Sequence, residues 1–230
     1  MLTRKNRRSK RRKGGGKYHG MEAPIVLELP VEDPIIVFSE ELKRQLMEKL
    51  SKKKEIIGWM RKYVVAKSPL ITSSDLIVNK GLSSILPLIS KLLADNGLEV
   101  KEPLVSSDIS VEIEYANAKE HLVDTDFVIH KDDFIDRRGI VRPVFTLIVC
   151  LDMDCDGGEI GFYSLNKKLI DKIKVRSETP EMKKIVMFNG GLYNKAEPIK
   201  NGKRVIVSYR IKQVEPSKYE EYHVHYPYTK

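Results

Sequence analysis

The sequence predicts an α+β protein: a basic arm, then packing helices, then a β-sandwich or jelly roll. Three observations carry this. Residues 1–20 hold nine basic residues and no acidic one. Across 21–97 the apolar residues recur mostly at helical spacing. From 98 to 213 the pattern is one of short strands separated by Asp, Gly, Asn, Pro and Lys turns. Helices followed by many short strands suit a sheet core backed by helices on one side. Residues 214–230 read as a C-terminal tail.

The arm reads R-R-S-K-R-R-K-G-G-G at its centre. Arg4, Lys5, Arg7, Arg8, Lys10, Arg11, Arg12, Lys13 and Lys17 account for the whole net charge of +9, since removing these nine from 41 Lys and Arg leaves 32 against 32 Asp and Glu. With no apolar period it cannot bury enough surface to fold alone, so disorder is expected. Three roles suit it: contact with nucleic-acid phosphates through residues 1–17, a nuclear address, and a plain solubilising tail. Arms of this kind resemble those of virion and chromatin proteins, which suggests the nucleus or a virion. Gly14–Gly16 and Gly20 make a flexible joint to the body.

The body has the composition of one ordinary domain, 41% hydrophobic and 32% charged. No apolar run approaches bilayer length, and the N-terminus lacks the apolar segment of a secretory signal. An intracellular protein without a membrane partner is expected. Cys150 and Cys155 are too few for a disulfide framework. Cys150 lies in V-F-T-L-I-V-C-L and reads as a buried free thiol, which points to a reducing compartment.

In the helical part, A-P-I-V-L-E-L-P and P-I-I-V-F-S read as extended segments bounded by prolines. Ser39 reads as the N-cap of a helix whose stripe is Leu42, Leu46, Met47, Leu50, Ile57 and Met60. A second helical region spans Ser74 to Asp95, broken near Pro87 and closed by Asn96-Gly97. Trp59 and the Leu and Ile positions here read as core, packing on the back of the sheet. The strands come next. S-D-I-S-V-E-I-E-Y alternates Ile109, Val111, Ile113 and Tyr115 with polar residues. D-F-V-I-H, V-F-T-L-I-V-C-L, E-I-G-F-Y-S, K-I-V-M-F and K-R-V-I-V-S-Y-R follow.

In F-V-I-H-K-D-D-F, His130 and Asp132 are two apart and share one side of an extended chain. An imidazole and a carboxylate on one face form two-thirds of a facial iron(II) site. A turn aspartate beside a surface histidine gives the same pattern, so the spacing alone decides nothing.

The context adds to it. After H-x-D come R-P-V-F-T-L-I-V-C-L-D, D-G-G-E-I-G-F-Y, I-V-M-F-N-G-G and E-P-I-K-N-G-K-R-V-I-V-S-Y-R. From about Ser107 to Ile211 this order resembles the 2-oxoglutarate- and iron(II)-dependent dioxygenases, in particular their prolyl 4-hydroxylase-like branch. The resemblance implies a double-stranded β-helix (jelly-roll) core with iron(II), 2-oxoglutarate and O2 as cofactors, and leaves a part for ascorbate open. It implies His130 and Asp132 as iron ligands and Arg204 as the cation for the distal carboxylate of 2-oxoglutarate, a task suited to a guanidinium fork. It implies Tyr115 as a pocket aromatic, and the Gly157-Gly158-Glu159 turn as structural.

The family has its distal histidine ligand where this sequence has Asn194. A neutral amide oxygen is a poorer donor to iron(II) than imidazole. His223 and His225 in the tail are spare imidazoles, as is His121; exposed terminal histidines are the plainer account of the first two.

Two function classes follow. One is a hydroxylase of a prolyl or lysyl side chain in a polypeptide partner, with methylated nucleic acid as runner-up substrate because Arg204 and Arg210 form an R-x5-R. The other is a catalytically degenerate dioxygenase fold, a binding or structural module tethered to nucleic acid by its arm.

Overall fold

A computed structural model describes residues 23–52, 66–67, 76–98, 103–117, 129–132, 134–135, 141–142 and 144–212. The expectations for the arm, the tail, His121, Ile57, Trp59 and Met60 fall outside these residues. The described residues are mostly β-sheet with few helices. The first elements are β1 (Ile25–Pro30), α1 (Pro34–Lys52), β2 (Ala66–Lys67) and α2 (Leu76–Asp95). The strands β3 (Ile109–Asn117), β4 (Phe134–Ile135), β5 (Val141–Arg142), β6 (Val144–Asp154) and β7 (Ile160–Tyr163) follow. Last come β8 (Leu169–Ile173), β9 (Met182–Asn189), β10 (Tyr193–Ala196) and β11 (Lys203–Lys212).

The strands form a six-stranded sheet in the order β1-β9-β6-β11-β3-β2, a three-stranded sheet β10-β7-β8, and the small pair β4-β5. Period-two alternation sorts the large sheet into two faces. Phe145, Leu147, Val149, Val205, Val207, Tyr209, Ile109 and Ile113 pack with α1 and α2 in one apolar core. Ile148, Cys150, Val186, Phe188 and Ile206 face the other way and meet Ile160, Phe162 and Ile173 of the three-stranded sheet in a second core. The polar residues of the same parity (Glu112, Glu114, Thr146, Arg204 and Arg210) therefore lie on the side facing the small sheet. The candidate site is built there.

The helical layer differs from expectation in secondary structure at three points, and Met47 and Leu88 are exposed rather than core. P-I-I-V-F-S is not extended: α1 starts at Pro34. Proline is tolerated at a first helical position because its missing N–H has no acceptor there anyway. Asp33 is the cap, with its Oδ1 accepting from Ile35 N at 2.8 Å. Ser39 is accordingly not an N-cap but a buried residue one turn inside. Its Oγ bonds the Ile35 carbonyl and shares a hydrogen bond with the Tyr209 hydroxyl, both at 2.7 Å. Finally, α2 runs through Pro87 without a break. It ends, as the sequence suggests, at Asn96-Gly97, where Gly97 takes φ 76° and Leu98 N donates to Leu93 O at 3.0 Å.

The Ser39–Tyr209 bond ties α1 to a central strand. Ser39→Ala leaves a buried phenol short of a partner and is expected to cost about 1–3 kcal/mol. A shift of the denaturation midpoint, with unchanged slope, is the measurement. Cys150 is buried and free, as read from the sequence. No helix among the described residues is long and apolar enough to cross a membrane.

Candidate functional site

Three of the expected residues come together. His130 and Asn194 face each other across an antiparallel bridge, with His130 N donating to Asn194 O at 3.0 Å and Asn194 N to His130 O at 2.8 Å. Asp132 is fixed by its own N–H, which donates to Gly190 O at 2.8 Å. From there its carboxylate points toward β6 and β11. His130 Nε2 lies 3.4 Å from Asp132 Oδ1. Asn194 is buried, and its Nδ2 faces the Leu192 and His130 carbonyls at 3.3 and 3.5 Å.

Both carboxylate oxygens of Asp132 have partners. Oδ2 accepts from Thr146 Oγ1 at 2.8 Å, and Oδ1 accepts from Arg210 Nε at 3.2 Å. Burial alone would raise the Asp132 carboxyl. The His130 contact, the Arg210 charge and the Thr146 hydroxyl outweigh it and hold the group below its ordinary value. Arg210 also donates to Glu112 on the neighbouring strand. Burial would lower the Arg210 guanidinium, but the two carboxylates raise it, so it stays charged.

Arg204 stands six residues earlier on the same side of β11 and is only 1% exposed. Its Nη2 pairs with the Glu114 carboxylate, while Nη1 donates to the carbonyls of Glu197 at 2.7 Å and Gly158 at 3.2 Å. The Gly157-Gly158 turn delivers that second carbonyl. Both glycines have positive φ, 80° and 75°. A Cβ on Gly158 would stand 2.8 Å from Ile199 and 3.3 Å from both Arg204 Nη1 and Cys155 Sγ. Only glycine brings the turn so close. Burial raises the Cys155 thiol, against the pull of the Arg204 charge.

The Tyr115 side chain lies outside the described residues. Its backbone pairs with Val205, which places position 115 in the register of Ile113 rather than of Glu114.

Whether this set suits iron(II) and 2-oxoglutarate can be judged from the partners. The His130–Asp132 separation suits two ligands of one divalent ion, for which bonds of about 2.1 Å at right angles give roughly 3 Å. The remaining features do not fit. A guanidinium donates to the same carboxylate oxygen, the residue expected as third ligand is a neutral amide, and Arg204 faces a carboxylate of the chain. Among the described residues, no group of three or more His, Cys, Asp or Glu could hold a metal ion.

Comparison with solved structures accounts for the architecture. The fold is similar to that of prolyl 4-hydroxylases. A structure of prolyl 4-hydroxylases from Phytophthora capsici superposes with a TM-score of 0.51 at 13% identity, over 83% of this chain and 59% of that one. The chain thus spans less than two thirds of that relative's length. A viral collagen prolyl hydroxylase of Paramecium Bursaria Chlorella virus-1, in its 2OG complex, gives 0.48 at 15% identity over 83% and 96% of the two chains. A Pseudomonas putida prolyl-4-hydroxylase gives 0.48 at 12% over 83% and 93%. No protein-family model and no curated protein matches the chain.

Arg210 and Glu114 are the site residues that the sequence hid. Arg210 showed only as the second arginine of R-x5-R. Glu114 showed only as the polar half of an alternating strand.

Proposed function

We propose that the chain is a dioxygenase-like jelly roll, a double-stranded β-helix of the prolyl 4-hydroxylase kind, that serves as a binding or structural module instead of a hydroxylase. One observation supports this above the rest. The two charged groups that iron(II) and 2-oxoglutarate need open are each matched by an opposite charge of the chain, Arg204 by Glu114 and Asp132 by Arg210. Asn194 then stands in the place of a distal ligand, and its amide faces backbone carbonyls. The function left to the fold is presentation of a surface, with arm residues 1–17 as the tether to nucleic acid and the nucleus or a virion as the compartment.

The second reading is a 2-oxoglutarate- and iron(II)-dependent hydroxylase of a prolyl or lysyl side chain. The His130–Asp132 convergence at 3.4 Å favours it. The R-x5-R of Arg204 and Arg210 keeps an oxidative nucleic-acid demethylase as the alternative within that class. Anaerobic addition of iron(II) and then 2-oxoglutarate separates the classes. Under the module reading no visible charge-transfer band develops and the melting temperature does not rise. A band that His130→Ala abolishes would establish the enzyme instead.

A further inference from the structure

The outward face of the three-stranded sheet differs in kind from the two apolar cores. Ile160 and Phe162 of β7 face inward, so Gly161 and Tyr163 face out. On this face Lys172 of β8 and Lys195 of β10 pair with Gly161, and Tyr193 of β10 pairs with Tyr163. A Cβ on Gly161 would fall 3.0 Å from both Cε2 and Oη of Tyr163, and 2.7 Å from Oε1 of Glu197. The Tyr163 ring therefore lies down across the glycine, and its hydroxyl is tied to the Glu197 carboxylate. Lys172 Nζ and Lys195 Nζ sit 3.5 and 3.7 Å from that carboxylate, flanking the ring. Beside it, Lys131 Nζ stands 4.9 Å above the centroid of the Tyr193 ring. The adjoining hairpin adds exposed Lys167, Lys168 and Lys174 against Asp171.

A tyrosine laid flat on a sheet, with ammonium groups around it, offers a π-face for a base and cations for the phosphates beside that base. A duplex keeps its bases stacked within and would use the lysines alone. An acidic peptide would use the lysines and leave the ring idle. Glu197 offsets part of the charge of Lys172 and Lys195, and Lys131, Lys167, Lys168 and Lys174 leave the face with an excess of positive charge.

We propose that this face binds single-stranded nucleic acid, with Tyr163 as the stacking platform and with Lys172, Lys195 and Lys131, the last held over the Tyr193 ring, on the flanking phosphates. The proposal rests on the reading of the chain as a binding module and adds a base-contacting surface to a phosphate-contacting arm.

The test titrates the full chain into fluorescein-labelled oligothymidylate and oligouridylate of about twenty nucleotides, and into a duplex of the same length, and follows anisotropy. Tyr163→Ala is expected to weaken single-strand binding about tenfold while duplex binding holds. Gly161→Val, which lifts the ring, should behave alike, and Tyr163→Phe should keep most of the affinity. Lys172→Gln and Lys195→Gln should each flatten the salt dependence by about one unit of slope. The oligouridylate arm separates RNA from DNA, and a preference for either supports the proposal. Neutralising residues 1–17 should weaken single strand and duplex equally, so failure of the tether is told apart from failure of the platform. An iron and 2-oxoglutarate signal would remove the module reading without touching the single-strand result. Two outcomes overturn the proposal. One is a folded Tyr163→Ala, or Tyr163→Leu should the first not fold, with unchanged single-strand affinity; the other is polyglutamate competing as well as oligothymidylate.

Discussion

Glu114→Ala is expected to lower the melting temperature by roughly 10 °C and to make it sensitive to small carboxylates. Arg204 and Glu114 are both buried, and breaking such a pair from one side typically costs about 3–5 kcal/mol because the surviving charge is left in a poor solvent. In a domain of this size each kcal/mol moves the midpoint by about 2–4 °C. The vacancy left by the truncation has the size of a carboxymethyl group and lies against a guanidinium still held by two carbonyls. Acetate or formate at tens of millimolar, in an order-of-magnitude sense, should recover part of the loss by mass action. 2-Oxoglutarate should act in the same way if its distal carboxylate reaches Arg204. Glu114→Gln keeps the shape and loses the charge, so a smaller fall and little carboxylate response are expected. Thermal melts with and without added carboxylate decide this. A fall of only a degree or two would mean that the pair contributes little.

The second large effect concerns the other arginine. Asn194→His by itself is expected to leave iron(II) binding weak, and Asn194→His with Arg210→Met to strengthen it at least tenfold. A divalent ion on Asp132 Oδ1 would lie within about 4 Å of the Arg210 guanidinium. At an effective dielectric near 20 two unit charges at that distance repel by about 4 kcal/mol, and a double charge by about twice as much. Removing Arg210 lifts that opposition and leaves Asp132 in need of a cation. Glu112, the other partner of Arg210, is a quarter exposed and can be met by water. Anaerobic calorimetry on the single and double variants is the measurement. Equal affinities would show that Arg210 does not obstruct the metal position.

These expectations also mark what the sequence could and could not show. The long strands were legible because β3 alternates apolar and polar residues while β6, buried on both faces, begins as an apolar run. β8 was not, since four of its five residues are exposed and L-I-D-K-I has no apolar face to advertise. P-I-I-V-F-S misled because a helix and a strand both accept such a run, and only the capping aspartate separates them. The spacing of His130, Asp132, Asn194 and Arg204 was read from the chain, and the structure does bring the first three together. Which carboxylate meets Arg204 was beyond reach. It depends on the pairing of β3 with β11, a long-range register that no local pattern encodes. That pairing also gives the cation at position 204 a structural need through Glu114, one that does not require an external anion.

The thiol beside the Arg204 turn gives the chain a native clock. Cys155 is half-buried, with burial raising its pKa, while Cys150 lies fully inside and is pushed up to about 12. Thiolate, not thiol, reacts with alkylating reagents. The two cysteines therefore form an internal pair of probes, one reading local opening of the Gly157-Gly158 turn and the other reading global unfolding. The ratio of their labelling rates measures how often the turn leaves Arg204, without any engineered label.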